Sequence, residues 1–144
     1  MHETFESISA GETVELGTYE VTREEILSFA EAYDPQSFHL EETEESPFDG
    51  LAASGWHTAA VTMRILVDGY LEESNAQGSL GLDALRWPTP VYPDDRLSAS
   101  ITFGEKEPRD DAYGVVTQEV ETVNQDGETV LWMEALVLYP RATQ

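Results

Sequence analysis

Asp34 and His39, five residues apart in YDPQSFHL (33–40), are the residues of this chain best suited to moving a proton near neutral pH. A carboxylate can take a proton from water, and an imidazole can give or accept one close to neutrality. Side by side they would polarise a single water or divide the acid and base roles. Asp34 directly precedes Pro35, and a residue before proline is pushed out of helical geometry. Both groups therefore fall where a helix must stop, and can turn towards one reacting atom. The spacing alone is equally met by a helix that ends with polar residues facing water.

A second stretch, SGWHTAA (54–60), could stabilise negative charge. The first amides of a helix have no intrahelical acceptor, and the helix dipole favours an anion there. Ser54 is a good cap, and glycine at position 55 lets a ligand come close to the backbone. Gly55, with Ser54 and His57 beside it, is a candidate oxyanion site for a carbonyl that gains charge in a transition state. A capped helix start with a small residue gives the same pattern, and His57 fits a packing or hydrogen-bonding role. His2, His39 and His57 show no metal-ligand spacing such as HExxH, and cysteine is absent, so no metal centre is expected. No Gly-rich phosphate loop occurs, and Ser54 in A-S-G-W is not a GxSxG nucleophile.

The elements that must hold these residues follow from the pattern. Val14–Val21 is rich in β-formers and reads as a strand. Thr22 with Glu25 forms a capping box for a helix whose Ile26, Phe29, Ala30 and Tyr33 share one face. Residues 34–53 read as an irregular acidic segment, too long for a plain connector. A longer helix starts at Ser54, with Trp56, Ala60, Met63, Val67 and Tyr70 at helical spacing and Val61, Ile65 and Leu66 broadening the apolar surface. Such a helix should be central. Strands follow at Leu80–Trp87, Leu97–Phe103 and Tyr113–Val123. A hairpin turn at Asn124–Gly127 leads to a last strand, Thr129–Tyr139, apolar on both faces and so expected inside a sheet or at an oligomer contact. The order predicts an α+β fold, one antiparallel sheet around one apolar helix, in a single domain spanning 1–144.

Composition narrows the function. Twenty-nine acids against seven bases give a net charge of −22, spread along the whole chain. Self-repulsion of this size is relieved by screening, as in proteins adapted to high salt; an ordinary acidic protein is the alternative. Nucleic-acid binding is disfavoured, because phosphate contacts need Lys and Arg clusters. MHETFES lacks the basic start and apolar run of a signal peptide, and no apolar run reaches membrane-spanning length. A cytoplasmic protein with no membrane contact is the expectation.

Three stretches in order, YDPQSFHLE (33–41), SPFDGLAASGWHTAA (46–60) and LRWPTPVYPDDRL (85–97), closely resemble the MaoC-like dehydratases. These are hot-dog-fold proteins that include the (R)-specific enoyl-CoA hydratases. The resemblance runs from about Thr13 to Tyr139. The family's D-x-N-P-x-H-x-D/E motif falls on Asp34, His39 and Glu41, and its helix-head glycine on Gly55. It departs here in having Pro35-Gln36 in place of Asn-Pro, Ser54 where many hydratases have histidine, and an apolar residue such as Met63 where some have serine.

The resemblance implies reversible syn addition of water to a trans-2-enoyl-CoA, giving a (3R)-hydroxyacyl-CoA. Asp34 and His39 would hold the water, and Gly55 N–H would bind the thioester oxygen. A CoA thioester is implied as substrate, with no cofactor, and a homodimer or a higher assembly of dimers. Arg64, Arg86, Arg96 and Arg109 are candidates for the CoA phosphates. A non-catalytic acyl-CoA-binding protein and an acyl-CoA thioesterase are the alternatives. The second is disfavoured by the lack of an acid on the helix before Asp68.

Overall fold

The computed structural model describes residues 4–41 and 46–142. His2 and the acids Glu42, Glu44 and Glu45, read from sequence as a terminal bystander and a solvated acidic face, lie outside the described residues.

Strand β1 (Thr13–Glu20) is followed by helix α1 (Arg23–Tyr33), the single turn α2 (Ser37–Leu40) and helix α3 (Gly55–Leu66). Four strands complete the chain: β2 (Ser79–Arg86), β3 (Arg96–Pro108), β4 (Tyr113–Val123) and β5 (Thr129–Pro140). They form one five-stranded sheet in the order β1-β3-β4-β5-β2. All pairings are antiparallel. β5, apolar on both faces, lies inside the sheet between β4 and β2, as its composition required. β1 and β2 are the edges.

Local chemistry explains the element ends. Thr22 caps α1, its hydroxyl accepting from Glu25 N–H at 3.2 Å. The helix stops at Tyr33, before the Asp34-Pro35 pair. In the β4–β5 hairpin, Asn124 Oδ1 accepts from the amides of Asp126 and Glu128, both at 3.0 Å. Gly127 there takes a φ of 77°, which glycine adopts at no steric cost.

Two expectations need correction. The stretch 34–53 is not wholly irregular: Ser37–Leu40 forms a helical turn, closed by Glu41 N–H on the Ser37 carbonyl at 2.9 Å. Four residues are too few for a periodic signal to show.

The buried face of α3 matches the expected one only in part: Val61, Ile65 and Leu66 are buried as their apolarity suggests, but two residues that spacing selected are not. Trp56 is 59% exposed and Met63 47%, while His57, Thr58, Val61, Thr62, Ile65 and Leu66 face inward. Val61 and Ile65 pack on Leu97, Ala99 and Val130 of the sheet and on Ile26 of α1. Leu66 packs with Ile101, Phe103 and Val120. Apolarity misled because threonines sit on the core side. Thr62 is buried with its hydroxyl 2.8 Å from that of Thr122 on β4, so its polar group is satisfied. The helix covers one face of the sheet with twelve residues, followed by a π-helical turn at Val67–Leu71, and its outer side is open.

Candidate active site

The end of α1, the turn α2 and the start of α3 converge on Asp34 and His39. Asp34 caps the C-terminus of α1 with φ −150° and ψ 67°, clear of helical geometry. Residues Leu51–Ser54 are buried, and this segment grips both neighbours. Ala52 N–H donates to the Phe38 carbonyl at 3.1 Å, and Ala53 N–H donates to the Val91 carbonyl at 2.8 Å. The segment thereby ties α2 to the 87–95 connection on the far side of the cleft.

His39 is 6% exposed, and a hydrogen bond at Nδ1 fixes its ring. Nδ1 lies 2.7 Å from the Ala52 carbonyl, which can only accept, so Nδ1 holds a proton. Nε2 then faces Asp34 Oδ2 at 3.4 Å. In the neutral ring Nε2 is a lone pair opposite a carboxylate oxygen. A proton on Nε2 resolves that conflict, and so does one water donating an O–H to each group. The second solution leaves the water's lone pairs turned outward, as a nucleophile needs.

Asp34 accepts two side-chain hydrogen bonds, from Gln36 Nε2 at 2.5 Å to Oδ1 and from Ser54 Oγ at 2.7 Å to Oδ2. The Gln36 bond above all, with Ser54 and His39, outweighs partial burial and holds the carboxyl below the usual carboxylate range. Asp34 is therefore ionised at neutral pH. Ser54 also serves the helix, because its Oγ accepts from Trp56 N–H at 3.3 Å and caps α3. One buried hydroxyl thus joins the acid to the helix whose first amide belongs to Gly55.

Asp34, His39, Ser54 and Gly55 line one cleft of about 410 Å³. Trp87, Pro88, Pro90 and Val91 also line it. Gly55 is the first residue of α3, where its N–H has no acceptor within the helix.

His57 is not brought to this cleft. Its ring stacks on Phe29 at 5.0 Å, and Nε2 lies 3.9 Å from Glu25 Oε2. Its Nδ1 is buried without a hydrogen-bond partner among the described residues. Burial lowers its proton affinity below the ordinary histidine value, and Glu25 opposes this less strongly. Glu41 is exposed and does not line the cleft. Sequence reasoning missed Gln36, the Ala52 carbonyl and Trp87. Gln36 could have been found from its place two residues after a carboxylate, whereas nothing local pairs position 87 with position 55.

The outer face of α3 leads into a second, apolar cleft of about 320 Å³, lined by Ala59, Met63, Leu82 and Met133 among others. No helix of the described residues is long and apolar enough to cross a membrane, and none of their His, Asp and Glu groups gather in a metal-holding cluster.

Comparison with known proteins matches this arrangement to one family. Residues 6–125 match the family described as MaoC like domain. A MaoC-like dehydratase from Rhodospirillum rubrum is 39% identical and superposes with a TM-score of 0.88, covering 98% of this chain and 99% of that one. The uncharacterized protein YdeM of Bacillus subtilis is 27% identical over 138 residues, 94% of this chain and 98% of its own length. A mesaconyl-CoA hydratase of Cereibacter sphaeroides is 45% identical over 58 residues, which span 40% of this chain and 17% of that enzyme. The family match takes in strands β1 to β4, the α3 start and the Asp34–His39 pair together, and the chain belongs to the MaoC-like domain family.

Proposed function

We infer that the protein is a hydratase/dehydratase that adds water reversibly to a trans-2-enoyl-CoA, giving a (3R)-hydroxyacyl-CoA. The observation that carries this reading is the 3.4 Å approach of His39 Nε2 to Asp34 Oδ2 in a cleft that also holds the first amide of α3. Water held between the two groups bonds through oxygen to C3 and gives up a proton to the pair. The electrons of the C2–C3 double bond move towards the thioester oxygen, where Gly55 N–H stabilises the enolate. C2 then takes a proton from the same pair on the same face, so atoms and charge balance. Proton handling of this kind contributes about 10²–10⁴-fold, and an oxyanion donor about 10²–10³-fold.

No metal or redox group enters this scheme, so turnover should survive a chelator. Thioester hydrolysis is the weaker reading: Asp68 is exposed and paired with Arg64 at 2.9 Å, away from the cleft. The active form is a dimer or an assembly of dimers. Its contact is the open apolar strip made by Trp56 and Met63 of α3 with Leu80 and Leu82 of edge strand β2, which are 59%, 47%, 49% and 45% exposed.

The test is loss of enoyl absorbance on hydration of crotonyl-CoA in high-salt buffer. Wild type should turn over, and Asp34→Asn and His39→Ala should each lose at least about 10²-fold in kcat while remaining folded. Folded wild type that hydrates neither crotonyl-CoA nor a longer enoyl-CoA would overturn the reading.

A further inference from the structure

Gly55 is in helical geometry, so its backbone does not require glycine. Its surroundings do. A Cβ placed on Gly55 would lie 2.6 Å from Trp87 Cε2, 2.7 Å from Cδ2 and 3.0 Å from Cζ2. Cε2 and Cδ2 are shared by both rings of the indole, and all their in-plane directions are occupied by bonds. An atom nearest to both must approach the ring from above. The indole therefore lies with its face on Gly55. It is rigid, set at the end of β2 and followed by Pro88, so it cannot yield as the tip of a flexible side chain would.

Trp87 remains 40% exposed, with Trp56 packed across it in a T-shaped pair at 5.2 Å. The ring lines the same cleft as Asp34 and His39. A thioester oxygen that reaches Gly55 N–H brings its neighbouring carbons into this cleft, beside the indole that packs on Gly55.

We propose that Trp87 is a specificity and positioning residue: its indole face fixes the glycine-headed start of α3 and excludes branching at the carbons next to the thioester. This rests on the hydratase reading for its substrate class, while the Trp87–Gly55 contact stands independently of it. Two consequences follow. Gly55→Ala, which keeps the N–H, should damage the enzyme through the collision with Trp87. Trp87→Ala should remove both the collision and the restriction on the acyl group.

The experiment uses the full chain as wild type, Gly55→Ala, Trp87→Ala, the double variant and Trp87→Phe, which keeps an aromatic ring if the alanine variant folds poorly. Thermal unfolding is measured for all five. Hydration kinetics and calorimetric binding are measured with crotonyl-CoA and its 2-methyl homologue. One methyl group in a shaped pocket is worth about 10–200-fold in discrimination. Trp87→Ala should therefore raise the kcat/KM ratio of branched to unbranched substrate by at least about tenfold, with Trp87→Phe between. Gly55→Ala should lower the melting temperature in wild type and lower it much less beside Trp87→Ala, with activity on crotonyl-CoA partly restored.

A turnover ratio unchanged within about twofold in an active Trp87→Ala enzyme would overturn the specificity role alone. Equal destabilisation by Gly55→Ala in both backgrounds would overturn the packing role. Wild type that neither hydrates nor binds either thioester would sink the hydratase reading and the specificity role together, leaving the melting cycle to decide the contact. Selective binding without turnover would sink only the hydratase reading.

Discussion

Ser54→Gly separates two roles that one hydroxyl combines. As an N-cap, glycine in place of serine costs only a few tenths of a kcal/mol, so the lost bond to Trp56 N–H weighs little. The lost bond to Asp34 Oδ2 weighs more, because hydrogen bonds to charged groups contribute about 1.5–3 kcal/mol. The Asp34 side chain is 18% exposed, so water replaces part of that donor. A net loss of about 1 kcal/mol is expected, which lowers the melting temperature by about 3–4 °C in a chain of this size.

Activity should suffer more than stability. Freed from one of two side-chain donors, Asp34 can rotate about its own bonds, and a misplacement near 1 Å costs about 10²-fold. kcat should therefore fall by roughly 10–100-fold on crotonyl-CoA. Losing a bond that favours the ionised carboxyl raises the pKa of Asp34, so the acid limb of the pH–rate profile moves upward. In an Asp34→Asn background the same Ser54→Gly change should remove little further rate, because the two residues act as a unit. A kcat within about twofold of wild type, with the expected drop in melting temperature, would refute the reasoning and leave Ser54 as a cap.

Further outcomes are expected elsewhere. His57 binds its proton less tightly when folded than its usual value of 6.5, so the unfolded chain holds more protons just below that pH. Its contribution to stability is complete above about pH 6.5 and is lost as pH falls through the folded value. His57→Phe, which keeps the stack on Phe29, should flatten this limb in denaturant unfolding at mildly acidic and neutral pH; an unchanged slope would remove His57 as its source. With a net charge of −22, the melting temperature should rise steadily from 0.1 M to 2 M KCl, as the screening length falls from about 10 Å to below 3 Å. A flat or falling curve would show that repulsion among the acids is not limiting. Arg86 directly precedes Trp87, and its guanidinium donates only to the Leu85 carbonyl, at 2.9 Å, among its described bonds. Arg86→Ala should raise KM for crotonyl-CoA several-fold with kcat nearly constant, and should leave KM for a pantetheine thioester lacking the CoA phosphates unchanged. Equal effects on both substrates would place Arg86 outside phosphate recognition.

What was legible in the sequence were features with short-range causes. Thr22 and Glu25 announce the α1 start, Pro35 its end, and Asn124–Gly127 the hairpin, because each acts within a few residues. Alternation in β3 and β4 shows directly in the letters. The buried side of α3 showed only in Val61, Ile65 and Leu66, because Thr58 and Thr62 count as polar until a distant partner is known. Thr122, which satisfies Thr62, lies sixty residues away. The site followed the same division. Asp34 and His39 stand out by type and position, whereas the carbonyl that orients His39 belongs to Ala52, thirteen residues on, whose side chain signals nothing.

Gly55 shows how one residue can answer two demands. From the sequence, glycine at a helix head reads as room for a ligand. In the structure the room on its Cα side is already taken by the Trp87 indole, while the amide at the helix start has no acceptor within the helix. These demands act on different parts of the residue, the absent Cβ and the N–H, so they do not compete. Each supports the other: an indole packed flat on Gly55 limits movement of the first turn, and a fixed first turn keeps the amide aimed where an oxyanion would form. Ser54 braces the same turn from the other side, through Asp34. The helix head is thus held between an aromatic wall and the acid–imidazole pair, and a change at Trp87 should be felt in kcat as well as in substrate choice.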